Sequence, residues 1–296
     1  MISALRSLLE RRARSLPGRA RRPLLAVTTI ALVIAAAWAW ASTGLATSDL
    51  RWWPIAGLAL IAAPLSLLLK AAEFAVAARI AGQTSPPLRL ATETAVVSSA
   101  ANLLPLPGSL LVTVQTLAER GATYGGAITA GAVPGIAWIG VTGTLGGIAV
   151  TTEGSTVLGM VILLAGAFAL CGAGMMFAAA APGEGRIGLA GAVLAIEVGW
   201  LATSALRFML AASALGLDLT FTQALVLSVA GATSVAIGIV PGGLGVREAL
   251  IAALSPLIEL DVDQGFLLGV LDRVVWLGFL GLAAVTLAAT RPTSAS

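Results

Sequence analysis

Histidine is absent from the chain, cysteine occurs once, and charged residues make up only 10% of its 296 positions. The missing histidine excludes serine–histidine triads, histidine-ligated zinc and imidazole proton switching. Cys171 alone cannot close an intramolecular disulfide and lies in an apolar run, so it says nothing about redox compartment. The scarcity of charge reaches further. A soluble domain carries about a quarter charged residues, whereas here hydrophobic residues reach 58% and the mean hydropathy is +0.99. That leaves too little polar surface to cover a water-exposed body of this length. The medium this composition suits is a bilayer.

The formal charge is +3 and the sequence pI near 10.0. A nucleic-acid reader needs a basic face interleaved with polar or aromatic groups, but here the arginines gather at the N-terminus and at the ends of apolar runs. Nucleic acid is therefore not an expected partner; membrane orientation and anionic lipid are. Seven arginines (Arg6, Arg11, Arg12, Arg14, Arg19, Arg21, Arg22) precede the first apolar run, which has the length of a span rather than of a cleavable leader. Residues 1–23 read as a basic cytoplasmic arm.

A hydrocarbon core of about 30 Å needs about 20 apolar residues in a helix. Windows of that kind cover residues 24–45, 52–81, 122–150, 156–181, 187–215 and 265–289, about six spans in all. Residues 290–296 form a C-terminal tail. Two further apolar segments do not fit one crossing. Residues 90–121, "LATETAVVSSAANLLPLPGSLLVTVQTLAERG", are divided by Pro105, Pro107 and Gly108, and residues 221–259 are divided by "PGGLG". Proline ends a helix by removing a donor and clashing with the preceding turn, and broken backbone at membrane depth survives only against protein or a wet cavity. Both segments are expected to be re-entrant helical hairpins.

With the N-terminus cytoplasmic, Arg79, Arg89, Arg120, Arg186 and Arg291 fall on the same side, with Arg51 the main exception, in agreement with the positive-inside rule. The C-terminus is then cytoplasmic as well. The order span, span, hairpin, span occurs twice, over residues 24–150 and 155–289, with the hairpins entering from opposite faces. This is the plan of an inverted-topology repeat. The fold expected is an all-α polytopic membrane protein with one transmembrane domain, residues 24–289.

The second break, "VPGGLGVREA", places chemistry at such a hairpin. Pro241 ends one arm, and Gly242, Gly243 and Gly245 allow tight turns at little steric cost. Amides at the next helix start present partial positive charge. Arg247 can meet phosphate or carboxylate bidentately, with Glu248 holding it in position. The structural alternative is a glycine turn whose Arg-Glu pair locks the two arms together. No Lys-Ser/Thr ending follows, so this is not a phosphate-binding P-loop.

"PGGLGVREA", followed about one span later by "LDRVVW", resembles the membrane domain of lysylphosphatidylglycerol synthase/flippase-like proteins, and "NLLPLPG" is similar to that family's earlier Asn-Leu-Leu-Pro-Gly element. The resemblance covers roughly residues 24–289. It implies a polytopic inner-membrane protein in which two re-entrant segments meet and a modified phospholipid or lipid-linked sugar passes between leaflets. By position it carries over Pro241, Gly242, Gly243, Gly245, Arg247 and Glu248 from the second motif, Arg273 from the following span, and Asn102, Pro105, Pro107 and Gly108 from the first. One departure stands out: after the first Pro-Gly the family often has a further glycine and charges, whereas "SLLVTVQ" here is neutral. The soluble synthase domain of longer relatives is not matched, so synthesis of aminoacylated lipid is not expected.

The remaining charges within spans are few. Lys70 and Glu73, three apart, can pair on one helix face. Glu197 and Arg207 share a span ten residues apart and need partners elsewhere; the adjacent Asp272 and Arg273 are expected to pair across helices. Each also has a purely structural reading, as an ion pair that fixes the bundle, yet ionisable residues inside a membrane are functional candidates by default. Glu197, Arg207, Arg247, Glu248 and Arg273 are the expected lining of a polar cavity, with Gly242, Gly243, Gly245 and Asn102 at the hairpin tips and Glu93 a weaker candidate. The tryptophans read as interface anchors or packing, and "GIAWIGVTGTLGG" as a small-residue helix contact. The function expected is movement or binding of an anionic phospholipid or polyprenyl-linked headgroup in a bacterial-type plasma membrane, with no catalysis, no metal and no cofactor. The alternatives are a non-transporting partner of a separate lipid- or glycan-modifying enzyme, docked through the basic arm or self-associated as a homo-oligomer, and an intramembrane enzyme with Glu248 as general base.

Overall fold

A computed structural model describes residues 37, 40–41, 50–102, 108–181, 183, 185–237 and 245–290. The basic arm, most of the expected span 24–45, Pro105, Pro107, Pro241, Gly242, Gly243 and the end of the tail lie outside these residues. Among the described residues there are helices and no strand. In chain order they are α1 (Trp52–Ile80), α2 (Leu88–Ala101), α3 (Gly108–Glu119), α4 (Tyr124–Thr152), α5 (Thr156–Ala180), α6 (Arg186–Ala214), α7 (Phe221–Ile237), α8 (Val246–Leu254) and α9 (Val262–Ala289).

Five of these, α1, α4, α5, α6 and α9, are long and apolar enough to cross a membrane, the arrangement of a multi-pass helical membrane protein. Their bounds fall within a few residues of the expected spans. α1 contains one π-helical turn, Leu58–Ala62, immediately before Pro64. Proline cannot donate to the preceding turn, and the helix runs on through the widened turn, with the Ser66 hydroxyl donating to the Ala62 carbonyl at 2.9 Å.

The two segments broken by Pro and Gly fold as helix pairs, α2–α3 and α7–α8. At about 1.5 Å per residue, the 14 residues of α2, 12 of α3 and 9 of α8 are too short to cross a bilayer singly. Two buried apolar clusters organise the bundle. The first takes residues from α2 and α3 together with Leu67 to Ile80 of α1, Ala127 to Ala137 of α4 and Leu189 and Val193 of α6. The second takes α7 and α8 together with Leu58 and Ala62 of α1, Ala149 and Val150 of α4 and Ala205 to Leu215 of α6. The same long helices serve both clusters with different halves, so each short pair packs at its own end.

Loop contacts agree with that division. At the first end Gln83 Nε2 donates to the Leu117 carbonyl at 2.8 Å, Arg120 reaches Gln83 and Thr84, and Arg89 Nη2 donates to the Thr290 carbonyl at 3.4 Å. Two of the arginines expected on one side of the membrane, Arg89 and Arg120, thus stand at this end of the bundle. At the other end the Arg51 amide donates to the Ala214 carbonyl at 3.0 Å.

α4 and α5 make the most extensive helix contact among the described residues. A Cβ built on Gly143 would lie 2.8 Å from the Gly166 Cα, and one on Gly147 2.5 Å from the Leu163 nitrogen. Without side chains at these positions the backbones touch, the device used where lipid removes the hydrophobic drive for helix association. The small-residue run expected to serve helix contact does so.

Candidate functional site

α8 starts at Gly245, whose φ of 81° is a conformation side chains with a Cβ rarely adopt. Glu248 in the first turn accepts the Gly245 amide at 2.9 Å through Oε2, which satisfies one of the amides a helix start leaves unpaired and places a negative charge at the positive end of the helix. α8 then lies directly on α9, because α9 offers glycine where they meet. A Cβ on Gly265 would stand 1.7 Å from Ser255 Oγ, and one on Gly269 2.8 Å from Ile251 Cδ1 and 3.5 Å from the Glu248 Cα.

This close approach brings Arg247 and Glu248 against the next turn of α9, which carries Asp272 and Arg273. Arg273 Nε donates to Glu248 Oε1 at 2.5 Å. Arg247 Nη2 donates to Asp272 Oδ2 at 2.6 Å. From α6, Arg207 grips the same carboxylate with a fork, Nε to Oδ1 at 2.7 Å and Nη2 to Oδ2 at 2.9 Å. Asp272 and Glu248 are fully buried, Arg207 and Arg273 nearly so, and only Arg247 keeps a sixth of its side chain (17%) exposed. Aromatic rings complete the setting: the Arg207 guanidinium stands 4.9 Å from the Trp276 ring centre and that of Arg247 5.3 Å from Phe208, positions that favour cations over ring faces.

Three helices therefore bring three guanidiniums and two carboxylates side by side, as an Arg207–Asp272–Arg247 triad and an Arg273–Glu248 pair carried by adjacent residues of α8 and of α9. A lone charge at bilayer centre costs about 2.5–3.5 kcal/mol on insertion scales, and pairing with fixed hydrogen bonds is what makes burial tolerable. The network can retain a second anion, since guanidinium planes suit carboxylate and phosphate alike.

The expected site residues divide as follows. Arg207, Arg247, Glu248 and Arg273 are brought together, with Gly245 at their edge. Gly242 and Gly243 lie outside the described residues. Asn102 belongs to the other helix pair, where its Oδ1 accepts the Ser109 amide at 2.9 Å across the α2–α3 turn. Glu197 is fully buried on α6 but apart from the network, beside Lys70 and Glu73 of α1. Of the five charged candidates, four are thus brought together and Glu197 is paired with none of them. Glu93 pairs with Arg89 at 3.1 Å on an open face.

One sequence expectation is corrected: Glu248 does not hold Arg247. Neighbours on a helix point in different directions, so Glu248 turns to Arg273 and its own helix start, while Arg247 turns to Asp272. Asp272 is the member missing from the expected site, though it binds two arginines. An acid inside the apolar run "LDRVVW" was its signal. Trp276, one helical turn beyond Asp272, serves packing, the second of the two roles expected of the tryptophans: it lies against the first apolar cluster and under the Arg207 guanidinium. Among the described residues no group of three or more acidic or cysteine side chains could hold a metal ion.

Compared with family models, curated proteins and solved structures, the chain matches none.

Proposed function

We propose that the chain is a flippase-like membrane protein that binds an anionic phospholipid or polyprenyl-linked headgroup and carries it between the leaflets of a bacterial-type plasma membrane, with both termini cytoplasmic. The observation that carries this reading is the charge of the buried site, in which, among the described residues, the three guanidiniums of Arg207, Arg247 and Arg273 stand against the two carboxylates of Asp272 and Glu248. In an apolar medium an uncompensated charge is costly, and a phosphate monoanion is the headgroup that neutralises it. Arg247, the most exposed of the three, is the residue that meets the headgroup first. Asp272 and Glu248 hold the guanidiniums in place.

In this reading α2–α3 and α7–α8 are re-entrant hairpins that enter from opposite faces as halves of an inverted repeat. Their short arms and their separate apolar clusters support it. Helix pairs of this kind, with broken backbone near the midplane, recur where transporters bind cargo.

The test is reconstitution into liposomes with labelled lipids in one leaflet. Transfer above protein-free vesicles is expected for an anionic phospholipid or a polyprenyl phosphate and not for a zwitterionic lipid. Arg247→Gln is expected to slow it at least about tenfold, the effect of losing about 1.4 kcal/mol. No transfer of any lipid offered sinks the reading.

A second reading draws on the same network. Asp272 already accepts three arginine N–H bonds, so a closed structural lock would suit a non-transporting partner of a lipid- or glycan-modifying enzyme. A stoichiometric enzyme that co-purifies with the chain, together with absent lipid transfer, decides for it.

A further inference from the structure

Outside the arginine network, α6 carries a carboxylate that no part of the proposed lipid site uses. Glu197 is 1% exposed, and neither of its oxygens has a hydrogen-bond partner among the described residues. Buried polar atoms are nearly always partnered, and an ionised carboxylate without a partner in an apolar interior is among the costliest groups a protein can bury. A carboxyl group that carries a proton removes that cost.

Its surroundings are specific. Across the α1–α6 contact stand Lys70 and Glu73, the charged groups that interact with Glu197. Lys70 Nζ is engaged with both Glu73 oxygens, at 2.7 and 2.8 Å. Of the other helices packed on α6, α4 and α7 carry no charged side chain. On α9, Asp272 and Arg273 are bound to Arg207, Arg247 and Glu248. On α6 itself Arg207 is committed to Asp272 and Arg186 donates to the Ala181 carbonyl. One cation therefore stands between two carboxylates inside the bundle and satisfies only one of them.

We propose that Glu197 is a proton-binding site whose proton is released when Lys70 turns from Glu73 to Glu197. With Lys70 on Glu73, Glu197 is neutral and holds its proton. When the ammonium swings to Glu197, the carboxyl gives its proton to water and the Glu197–Lys70 pair replaces the Lys70–Glu73 pair, which leaves the ionised Glu73 carboxylate, 14% exposed where Glu197 is 1%, as the less buried of the two. A lysine suits the exchange because its ammonium is a compact point charge on a flexible stem. The site stands independently of the lipid reading. Its extension, that a proton gradient acts on lipid transfer through Glu197, rests on that reading.

Infrared difference spectra of the full chain in lipid nanodiscs, recorded against pH, test the site directly. A carbonyl band of a protonated carboxyl, shifted in heavy water, is expected in the unmodified chain, lost as pH rises and missing in Glu197→Gln. Glu73→Gln frees Lys70 for Glu197 and is expected to move the loss to lower pH by at least about one unit, a tenfold change in proton affinity. Lys70→Met removes the cation and is expected to move it the other way. Absence of a band that Glu197→Gln abolishes overturns the proposal, as does a midpoint indifferent to both neighbours. A band whose loss follows sodium concentration at fixed pH overturns it too, in favour of a metal cation. Lipid transfer in the liposomes above, with and without a pH gradient, separates the two readings: the band without transfer keeps the proton site and removes the carrier, and transfer without the band does the reverse.

Discussion

The two pairs of short helices solve the same problem with different materials. α2–α3 is neutral where its arms meet: Gly108 sits so close to α2 that a Cβ there would lie 2.0 Å from the Ala101 carbonyl oxygen, and the Asn102 side chain accepts the Ser109 amide. Its one ion pair, Arg89–Glu93, is on an open face. α7–α8 instead places Arg247 and Glu248 at the start of its second arm and ties both to α9. The neutral pair shows that a broken segment in this bundle needs no ions to hold together. Charge in the other pair is thus an addition, and buried ion networks are weak evidence for stability because desolvation offsets most of their attraction. That difference is why the anion site is proposed at α7–α8 and its neighbours, and none at α2–α3.

The largest loss is expected at Asp272. Asp272→Ala leaves two arginines without their common partner and is expected to cost about 3–5 kcal/mol, read as a lowered unfolding midpoint of the purified chain by tryptophan fluorescence; a loss below that of the neutral-pair variants would mean that the network is not a unit. Gly108→Ala comes next. The clash with the Ala101 carbonyl is expected to cost about 1–3 kcal/mol, measured the same way, and lipid transfer in the folded fraction is expected to persist.

Gly245→Ala comes next, because among the described residues no atom lies within 4 Å of its built Cβ and its φ of 81° opposes the change. A cost of about 1–2 kcal/mol is expected, with the greater part of the effect on lipid binding, since the residue fixes how Glu248 meets its helix start. Asn102→Ala, which removes one side-chain bond to a helix start, is expected to cost about 1 kcal/mol and to leave anion binding by the arginines intact in a headgroup titration. Smallest is Glu93→Gln. An exposed pair of this kind contributes about 0–1 kcal/mol, so its midpoint should be indistinguishable from that of the unmodified chain.

Much of this architecture is legible in local sequence. Hydropathy placed spans at 52–81 and 156–181, and the helices run Trp52–Ile80 and Thr156–Ala180. The Pro-Gly breaks marked both short pairs, and three-residue spacing marked Lys70–Glu73. Each of these depends on neighbours within a few turns, which a window along the chain samples directly.

The pairing of charges was not legible in that way. Asp272 lies 65 positions from Arg207 and 25 from Arg247, and nothing in those distances distinguishes the arrangement found from Arg247 with Glu248. By itself the sequence determined the medium, the helices, their breaks and which few residues carry charge, because burial of apolar length and loss of a proline donor are local costs. Only the tertiary structure decided which arginine holds which carboxylate and that Glu197 stands apart. Those outcomes depend on how far each helix is rotated and how deep it sits, which for α8 against α9 goes with the close approach at Gly265 and Gly269.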